Sequence, residues 1–315
     1  MGLDKLWPVR HKDADFGFGV NGQQGICWPP CNDRLGVLCW GQFVFKIPVL
    51  AKNASKKEVR MSNTESVRFD GIPSKFEGEV YSSFLSTLSE KRNVKRYIEV
   101  GIEDGVNFSK IHAEKAIGVD PNFSIKANVM ERKRAVLLNK MTSDVFFSDP
   151  KNWEFLAGYP DLIFLDGFHA FEFLLRDVCH AESISDRNGL IFLHDCLPLN
   201  AEMTERDMTT GFERGQHTNF PGYWTGDVWK IIPILQKYRP DLRILYLDCP
   251  PTGLVALTNL DPQSTTLNER YLEIVDEFFK VANTIENISN IYKSISLTSS
   301  KKVSHGFDNT LYFRT

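Results

Sequence analysis

The sequence lacks an apolar segment long enough to cross a membrane as a helix. Such a helix needs about 20 predominantly apolar residues, and the longest apolar run, residues 35–50, is interrupted by Gly36, Gly41, Lys46 and Pro48. The opening residues also lack the charged leader and apolar stretch of a secretory signal. We therefore expect no membrane partner and a cytoplasmic location.

An excess of positive charge is also absent. The 315 residues include 37 Lys plus Arg against 40 Asp plus Glu, which gives a formal net charge of -3. Proteins that bind nucleic acid use Lys and Arg to neutralise phosphates, so we expect no nucleic-acid partner. At this length, with 42% hydrophobic residues, the chain can bury a core without disulfides or a structural metal.

Cysteine is sparse, and no CxxC pair occurs. Three of the six Cys stand alone along the chain, namely Cys179, Cys196 and Cys249, which favours reduced thiols. The other three lie in the Gly-rich and Trp-rich first sixty residues, at Cys27, Cys31 and Cys39. With His11 they could bind zinc, although their spacing matches no paired zinc knuckle. The alternative is that residues 1–60 form an irregular arm.

Between residues 97 and 259, apolar runs alternate with amphipathic segments. This alternation predicts a parallel sheet with helices on both faces. The strand candidates are residues 96–100, 116–119, 161–165, 189–193, 243–247 and 253–257. The last two are too close for a helical crossover, so we expect them to pair antiparallel. The predicted fold is α/β, a doubly wound, mostly parallel seven-stranded sheet with one antiparallel edge strand, in a domain of residues 61–260.

A helical periodicity follows Pro262. Apolar residues recur every three or four positions, at Leu267, Tyr271, Ile274, Phe278, Ala282, Ile285, Ile288, Tyr292 and Ile295. The spacing predicts one long helix of about thirty residues within a C-terminal extension, residues 261–315. Its apolar stripe either packs across the domain or pairs with a second copy to form a homo-oligomer.

A glycine turn follows the first strand candidate. Gly101 and Gly105 permit a tight turn and a close approach by a ligand, and the helix that follows offers free N–H groups. Asp120 ends the second strand, where a carboxylate can accept both hydroxyls of a ribose. Glu99 is expected within the turn, where it would repel a pyrophosphate but attract an ammonium group. The pattern favours S-adenosylmethionine, with a nicotinamide cofactor as the alternative.

Polar side chains follow two further strand candidates. Asp166 ends one, and His194 and Asp195 end the next. Adjacent strands lie about 4.8 Å apart, so these side chains can meet around one cation. Two carboxylates suit Mg²⁺, whereas the imidazole of His194 favours Zn, Mn or Fe, or else contacts the substrate. His169 can then reach the acceptor hydroxyl as a general base. Taken singly, Asp166 or His169 could instead cap a helix.

The ordered set of these motifs resembles class I S-adenosylmethionine-dependent methyltransferases. The resemblance covers about residues 75–260 and is greatest to the metal-dependent O-methyltransferases that include catechol and macrolide-sugar enzymes. It implies a Rossmann-like methyltransferase fold. The residues that it assigns to the cofactor are Glu99, Gly101, Gly105 and Asp120, with Ser143 and Asp144 near the adenine. Those that it assigns to a divalent cation are Asp166, His194 and Asp195, with His169 as the base.

One position departs from the pattern of that family. Where this chain has His194, those enzymes normally carry an oxygen donor, which leaves the identity of the metal open. The overall expectation is an O-methyltransferase acting on a small-molecule or glycan hydroxyl, with a sugar as the first choice and a phenol as the second. Residues 199–225 form a long loop, which we expect to cover the acceptor. The alternatives are a nicotinamide-dependent oxidoreductase and a non-catalytic binding or assembly module.

Overall fold

The structure of the protein, a computed structural model, describes residues 71–306 and 311–313. The arm and the zinc site considered for residues 1–60 lie outside the described residues. Within them, eight strands form one sheet. The strands are β1 (Arg96–Val100), β2 (Ala113–Val119), β3 (Lys133–Asn139), β4 (Leu162–Leu165), β5 (Leu190–His194), β6 (Arg243–Leu247), β7 (Leu254–Thr258) and β8 (Leu297–Thr298).

The strand order is β3-β2-β1-β4-β5-β7-β6-β8. Strands β1 to β5 pair in parallel, and β7 runs antiparallel to both of its neighbours, β5 and β6. The α/β class, the mostly parallel sheet and the antiparallel hairpin are therefore confirmed. The sheet has eight described strands rather than seven, because the two-residue β8 adds to β6.

Helices connect the strands and cover both faces of the sheet. The α-helices are α1 (Tyr81–Lys91), α2 (Val106–Lys110), α3 (Ser143–Ser148), α4 (Phe171–Ser183), α5 (Met208–Gly215), α6 (Ile231–Tyr238), α7 (Thr266–Glu269), α8 (Tyr271–Phe279) and α9 (Ile285–Ser294). Short 3-10 helices lie at Pro150–Asn152, Glu154–Leu156, Glu202–Thr204 and Val228–Lys230, and a π-helix lies at Lys302–Gly306. In the described part of the chain, no helix is both long and apolar enough to cross a membrane.

The sheet is buried on both faces. In β4 all four residues are buried, as expected for a central parallel strand covered by helices on each side. Alternate residues of β1 enter different hydrophobic clusters, with Ile98 and Val100 on one face and Tyr97 on the other. Because β1 to β5 are parallel, their carboxyl ends meet at one edge of this buried sheet.

The long C-terminal helix predicted from the periodicity is wrong, because the segment forms three shorter helices, α7, α8 and α9. The break before α9 is stabilised by hydrogen bonds to residues that are distant in sequence. Asn283 accepts a hydrogen bond from the Trp229 indole at 3.1 Å and donates to the Thr204 carbonyl at 2.9 Å. Thr284 has an extended backbone and caps α9. These bonds hold the chain in a non-helical conformation at the break.

The apolar stripe of these helices packs on the domain. Leu267, Ile274, Phe278 and Ile288 are buried in the same cluster as residues of the sheet. The stripe thus packs across the domain, which is the first of the two alternatives given for it. Association with a second copy stays a prediction. A separate extension after residue 260 also stays a prediction.

Candidate functional site

The glycine turn after β1 is in backbone contact with the end of β4. The Asp166 N–H donates to the Val100 carbonyl at 2.9 Å, and the Gly101 N–H donates to the Val119 carbonyl at 2.8 Å. Gly101 has φ +85°, and a Cβ there would lie 1.9 Å from the Asp166 carbonyl oxygen. Only glycine fits this position, and the fit places the turn against the strand end that carries Asp166.

Asp120 stabilises the same turn. Its carboxylate accepts hydrogen bonds from the backbone N–H groups of Glu103 at 3.0 Å and Asn122 at 2.7 Å. Gly105 precedes α2 with φ +77°, in the left-handed region that favours glycine. The structure therefore brings Asp120 against the turn that contains Gly101 and Gly105, so that three of the residues predicted to hold a cofactor lie together.

Glu99 lies in β1 rather than in the turn that follows it, which corrects its expected placement. Its side chain is 1% exposed and accepts hydrogen bonds from the Tyr97 hydroxyl at 2.5 Å and the Asn107 amide at 3.1 Å. Burial raises the pKa of Glu99 to about 8, although these hydrogen bonds favour the ionised form. The turn begins only at Gly101, so the Glu99 carboxyl is buried against one face of the sheet.

Ser143 and Asp144 open α3, directly after its N-cap Thr142. Arg176 of α4 donates to both carboxylate oxygens of Asp144, at 2.8 and 2.7 Å, and these bonds lower the pKa of Asp144. Ser143 is half-buried and hydrogen-bonds Asp177 of α4. This pair of predicted cofactor residues is thus tied to α4, the helix that follows Asp166.

Two carboxylates and two imidazoles meet beyond β4 and β5. His194 Nδ1 lies 3.2 Å from Asp166 Oδ1 and 3.3 Å from Asp195 Oδ2. His169 Nε2 lies 3.5 Å from Asp166 Oδ1 and 3.4 Å from Asp195 Oδ2. One nitrogen of each imidazole therefore faces both carboxylates. We call these four residues the His/Asp cluster.

The charges within the His/Asp cluster support one another. Burial alone would lower the pKa of His194, but Asp166 and Asp195 outweigh it and raise that pKa well above its ordinary value. The same balance raises the pKa of His169. Burial opposes ionisation of Asp166, yet the two imidazoles bring its pKa well below the ordinary value. The histidines can therefore act as counter-ions of the carboxylates.

The donor set of the cluster also fits a divalent cation. Asp166, His169 and Asp195 offer ligand atoms that all lie within 4.8 Å of one another, and His194 approaches both carboxylates as closely as His169 does. Imidazole together with carboxylate suits Zn, Mn or Fe better than Mg. The structure thus brings together the predicted ligands Asp166, His194 and Asp195, and it places His169 at their side.

The surroundings of the cluster include side chains that the sequence motifs did not indicate. The ring of Tyr81, at the start of α1, lies 4.1 Å from that of His194 between centroids. Burial, followed by the charges of Asp166 and Glu99, raises the pKa of Tyr81. The Thr252 hydroxyl donates to Asp195 Oδ1 at 2.5 Å. These contacts join residues that are distant in sequence, so no local sequence pattern predicts them.

Residues 199–225, expected to cover the acceptor, contain a 3-10 helix and α5. The Trp224 indole stacks on the His169 imidazole, with centroids 4.7 Å apart. Just beyond, Asp227 accepts hydrogen bonds from the Phe171 N–H at 3.1 Å and from Arg206 at 2.7 Å. Asp227 thus caps α4, whose start follows His169. This segment therefore packs against the cluster through Trp224, and Asp227 just beyond it fixes the start of the helix that follows His169.

Comparisons with known proteins give structural similarities only. No protein-family model matches the chain, and no curated protein matches it. An SAH-bound methyltransferase of Podospora anserina is 14% identical, with 57% of this chain and 78% of that chain covered at a TM-score of 0.36. An O-methyltransferase of Bacillus cereus in complex with SAH is 13% identical, with 59% and 84% covered at a TM-score of 0.36.

A third solved structure is the O-methyltransferase TomG of Streptomyces achromogenes, involved in tomaymycin synthesis and in complex with SAM. It is 13% identical, with 56% of this chain and 78% of that chain covered at a TM-score of 0.35. Similarities at this level of identity and TM-score do not establish a family for this chain. The chemistry has to be inferred from the chain's own residues.

Proposed function

We propose that the protein is an S-adenosylmethionine-dependent O-methyltransferase, assisted by a cation, that acts on a hydroxyl of a sugar, a glycoconjugate or another small molecule. The observation that carries the proposal is the backbone contact between Gly101 and Asp166. It places the expected cofactor turn directly beside the His/Asp cluster. Methyl transfer is an in-line displacement that requires the acceptor oxygen close to the methyl carbon, and adjacent sites meet this need.

The strand order supports a nucleoside cofactor at the turn. It reverses between β1 and β4, and open α/β sheets bind ligands beyond the carboxyl ends of the strands at such a switch point. Each oxygen of Asp120 accepts one backbone hydrogen bond. Because a carboxylate oxygen can accept two hydrogen bonds, Asp120 retains capacity for the hydroxyls of a ribose.

The remaining proposed cofactor residues surround this point. Glu99 lies beneath the turn, and a positively charged methyl donor above it would favour the ionised carboxylate. Ser143 and Asp144 open α3 and are proposed to contact the adenine. Asp144 is already paired with Arg176, which fixes the direction of its carboxylate. Together with Gly101 and Gly105, these residues form the proposed cofactor site.

The His/Asp cluster is proposed to hold the acceptor. Asp166, His194 and Asp195 would bind a divalent cation, which would lower the pKa of the acceptor hydroxyl. His169 is proposed as the base, since Nε2 faces the same space and the stacked Trp224 fixes its ring. A cation bound to Asp166 and Asp195 would offset the carboxylate charges that raise the pKa of His169, and a neutral Nε2 could then accept the proton. Deprotonation and alignment of the acceptor would then be carried out by side chains at the carboxyl ends of β4 and β5 and just before α4.

Aromatic side chains support a ring-shaped acceptor. Phe168, next to His169, is 63% exposed, and Tyr223, next to Trp224, is 41% exposed. Exposed aromatic faces suit a sugar ring or a phenol.

The free thiols of Cys179, Cys196 and Cys249 support a reducing compartment, so we propose a cytoplasmic enzyme.

Thermal unfolding in the presence of candidate ligands tests the proposal. A ligand at 100 times its Kd stabilises the native state by about 2.7 kcal/mol, so we expect SAH to raise the Tm by several degrees and NAD(H) to leave it unchanged. Asp120→Ala should lose most of the SAH effect, and Asp276→Ala, an exposed substitution on α8, should retain it. Stabilisation by NAD(H) without stabilisation by SAH would contradict a methyltransferase.

A further inference from the structure

Asp177 is a buried carboxyl group whose role neither the fold nor the proposed chemistry explains. It lies on α4 and is 3% exposed. Its Oδ1 has no hydrogen-bond partner among the described residues, and its side chain is hydrogen-bonded to Ser143. An unsatisfied buried acceptor costs stability. Stability therefore does not explain why an aspartate occupies this position.

The rest of α4 shows that the fold can supply a counter-ion where one is needed. Glu182 is also 3% exposed, but Arg239 donates to both of its carboxylate oxygens, with Nη2 2.9 Å from Oε1. Arg176 directly precedes Asp177, yet it is bound to Asp144 and to the Tyr271 hydroxyl. Asp177 thus stands out as the carboxyl group of this helix that is buried without a counter-ion.

Its position connects Asp177 with the proposed cofactor site. One of its oxygens lies 3.6 Å from the point that a Cβ on Gly167 would occupy, and Gly167 directly follows Asp166. Ser143, its hydrogen-bond partner, opens α3, the helix that follows β3. Asp177 therefore lies beneath the carboxyl ends of the strands, where ligands of such sheets bind. Its hydrogen bond to Ser143 connects it with the proposed adenine site.

We infer that Asp177 is a positioning residue for the base of the nucleoside cofactor. As a neutral acid it donates its proton to Ser143 Oγ and thereby leaves the Ser143 hydroxyl free to donate to a ring nitrogen. This inference rests on the proposed function, in which Ser143 contacts the adenine. An ionised Asp177 would instead accept the Ser143 proton, and the site would lose its donor.

The protonation state of Asp177 changes near neutral pH. Burial raises its pKa to about 7, Asp144 raises it further, and the Ser143 hydrogen bond and Arg176 oppose the rise. The Cys179 thiol also interacts with Asp177, but burial raises the pKa of Cys179 to about 12, outside this range. A bound cofactor that uses the Ser143 donor binds the neutral form more tightly, so its affinity should fall as the pH rises through 7.

Isothermal titration with SAH at pH 6 and pH 8 tests this inference in the full chain. Glu99, whose pKa is about 8, titrates in every protein compared, so the readout is the Kd relative to that of Asp177→Asn. If the complex keeps the proton on Asp177, the wild-type Kd should rise about tenfold relative to the Kd of Asp177→Asn between the two pH values, by one-proton linkage. At pH 6, Asp177→Asn should bind as tightly as the wild type, because the amide donates to Ser143 at any pH. Ser143→Ala should bind more weakly, with the pH dependence of Asp177→Asn.

Glu182→Gln is the matched control, because it removes an equally buried carboxylate from the same helix. It should be less stable but keep the tenfold rise of the wild type relative to Asp177→Asn. If the wild-type Kd changes between the two pH values by the same factor as the Kd of Asp177→Asn, the inference is overturned and the proposed function stays intact. If the wild type does not bind SAH at either pH, the proposed function fails and the inference fails with it.

Discussion

The His169 imidazole lies nearly flat against the Trp224 indole, with ring centroids 4.7 Å apart and planes inclined by 20°. The indole is itself fixed, because its N–H donates to the Glu205 carbonyl at 2.6 Å. On the other side, a Cβ on Gly226 would lie 1.8 Å from the His169 carbonyl oxygen. The segment after β5 therefore sets the orientation of the proposed base.

Trp224→Leu should loosen His169 without emptying the cofactor site. We expect the loss of the stack and of the indole hydrogen bond to cost about 1–3 kcal/mol of unfolding free energy, measured by urea denaturation. SAH affinity should stay within about twofold, since Trp224 contacts none of the proposed cofactor residues. Trp224→Phe keeps an aromatic face and should lose less stability. Equal losses in the two variants would show that the stack is unimportant.

Gly101→Ala should be far more damaging than an alanine at another glycine with the same backbone. Gly101 and Gly222 have φ +85° and +82°, but an added Cβ meets Asp166 at 1.9 Å in the first case and no described atom within 4 Å in the second. The left-handed conformation costs about 1–2 kcal/mol in either variant. We expect Gly101→Ala to lose roughly 3 kcal/mol or more together with SAH binding, and Gly222→Ala to keep SAH binding.

Metal titration separates a ligand from a base within the His/Asp cluster. If Asp166 and His194 hold the cation, Asp166→Asn and His194→Ala should each weaken Mn²⁺ binding by about tenfold or more, as followed by the electron paramagnetic resonance of free Mn²⁺. His169→Ala should keep Mn²⁺ and lose methyl transfer. An equally large loss of Mn²⁺ in His169→Ala would make His169 a ligand and would remove it from the role of base.

Stability of a Glu99→Gln variant should depend on pH differently from that of the wild type. The folded-state pKa of Glu99 is about 8, above the ordinary 4.5, so folding favours its protonated form. That contribution is present below pH 4.5 and is lost as the pH rises through 8. Relative to the wild type, Glu99→Gln should gain up to about 1.4 kcal/mol per pH unit between pH 5 and pH 8. Parallel stability curves from urea denaturation would contradict this.

Much of the sheet could be predicted from the sequence, because its central strands are continuous apolar runs. The expected bounds 96–100 and 243–247 coincide with β1 and β6. By contrast, β3 was not among the strand candidates. Its residues are half-buried or exposed, and its four apolar residues, 135–138, follow two basic residues at the edge of the sheet, so the run is short and flanked by polar residues.

The meeting of Asp166, His194 and Asp195 could be predicted because parallel strands place their ends side by side. The contacts of Tyr81 and Trp224 could not, since each joins residues far apart in the chain and leaves no local spacing. The break between α8 and α9 has the same origin. Asn283 is hydrogen-bonded to Trp229 and Thr204, which are distant in sequence. These bonds interrupt the predicted helix, although the periodicity correctly predicts the face that is buried.

The most direct test is a crystal structure of the protein with SAH and Mn²⁺. We expect the ribose hydroxyls to contact Asp120, the homocysteine moiety to lie along the turn from Gly101 to Gly105, and the sulfur to face a cation held by Asp166, His194 and Asp195. A ligand bound elsewhere, with the turn empty, would contradict the central claim that the turn and the His/Asp cluster form one methyl-transfer site.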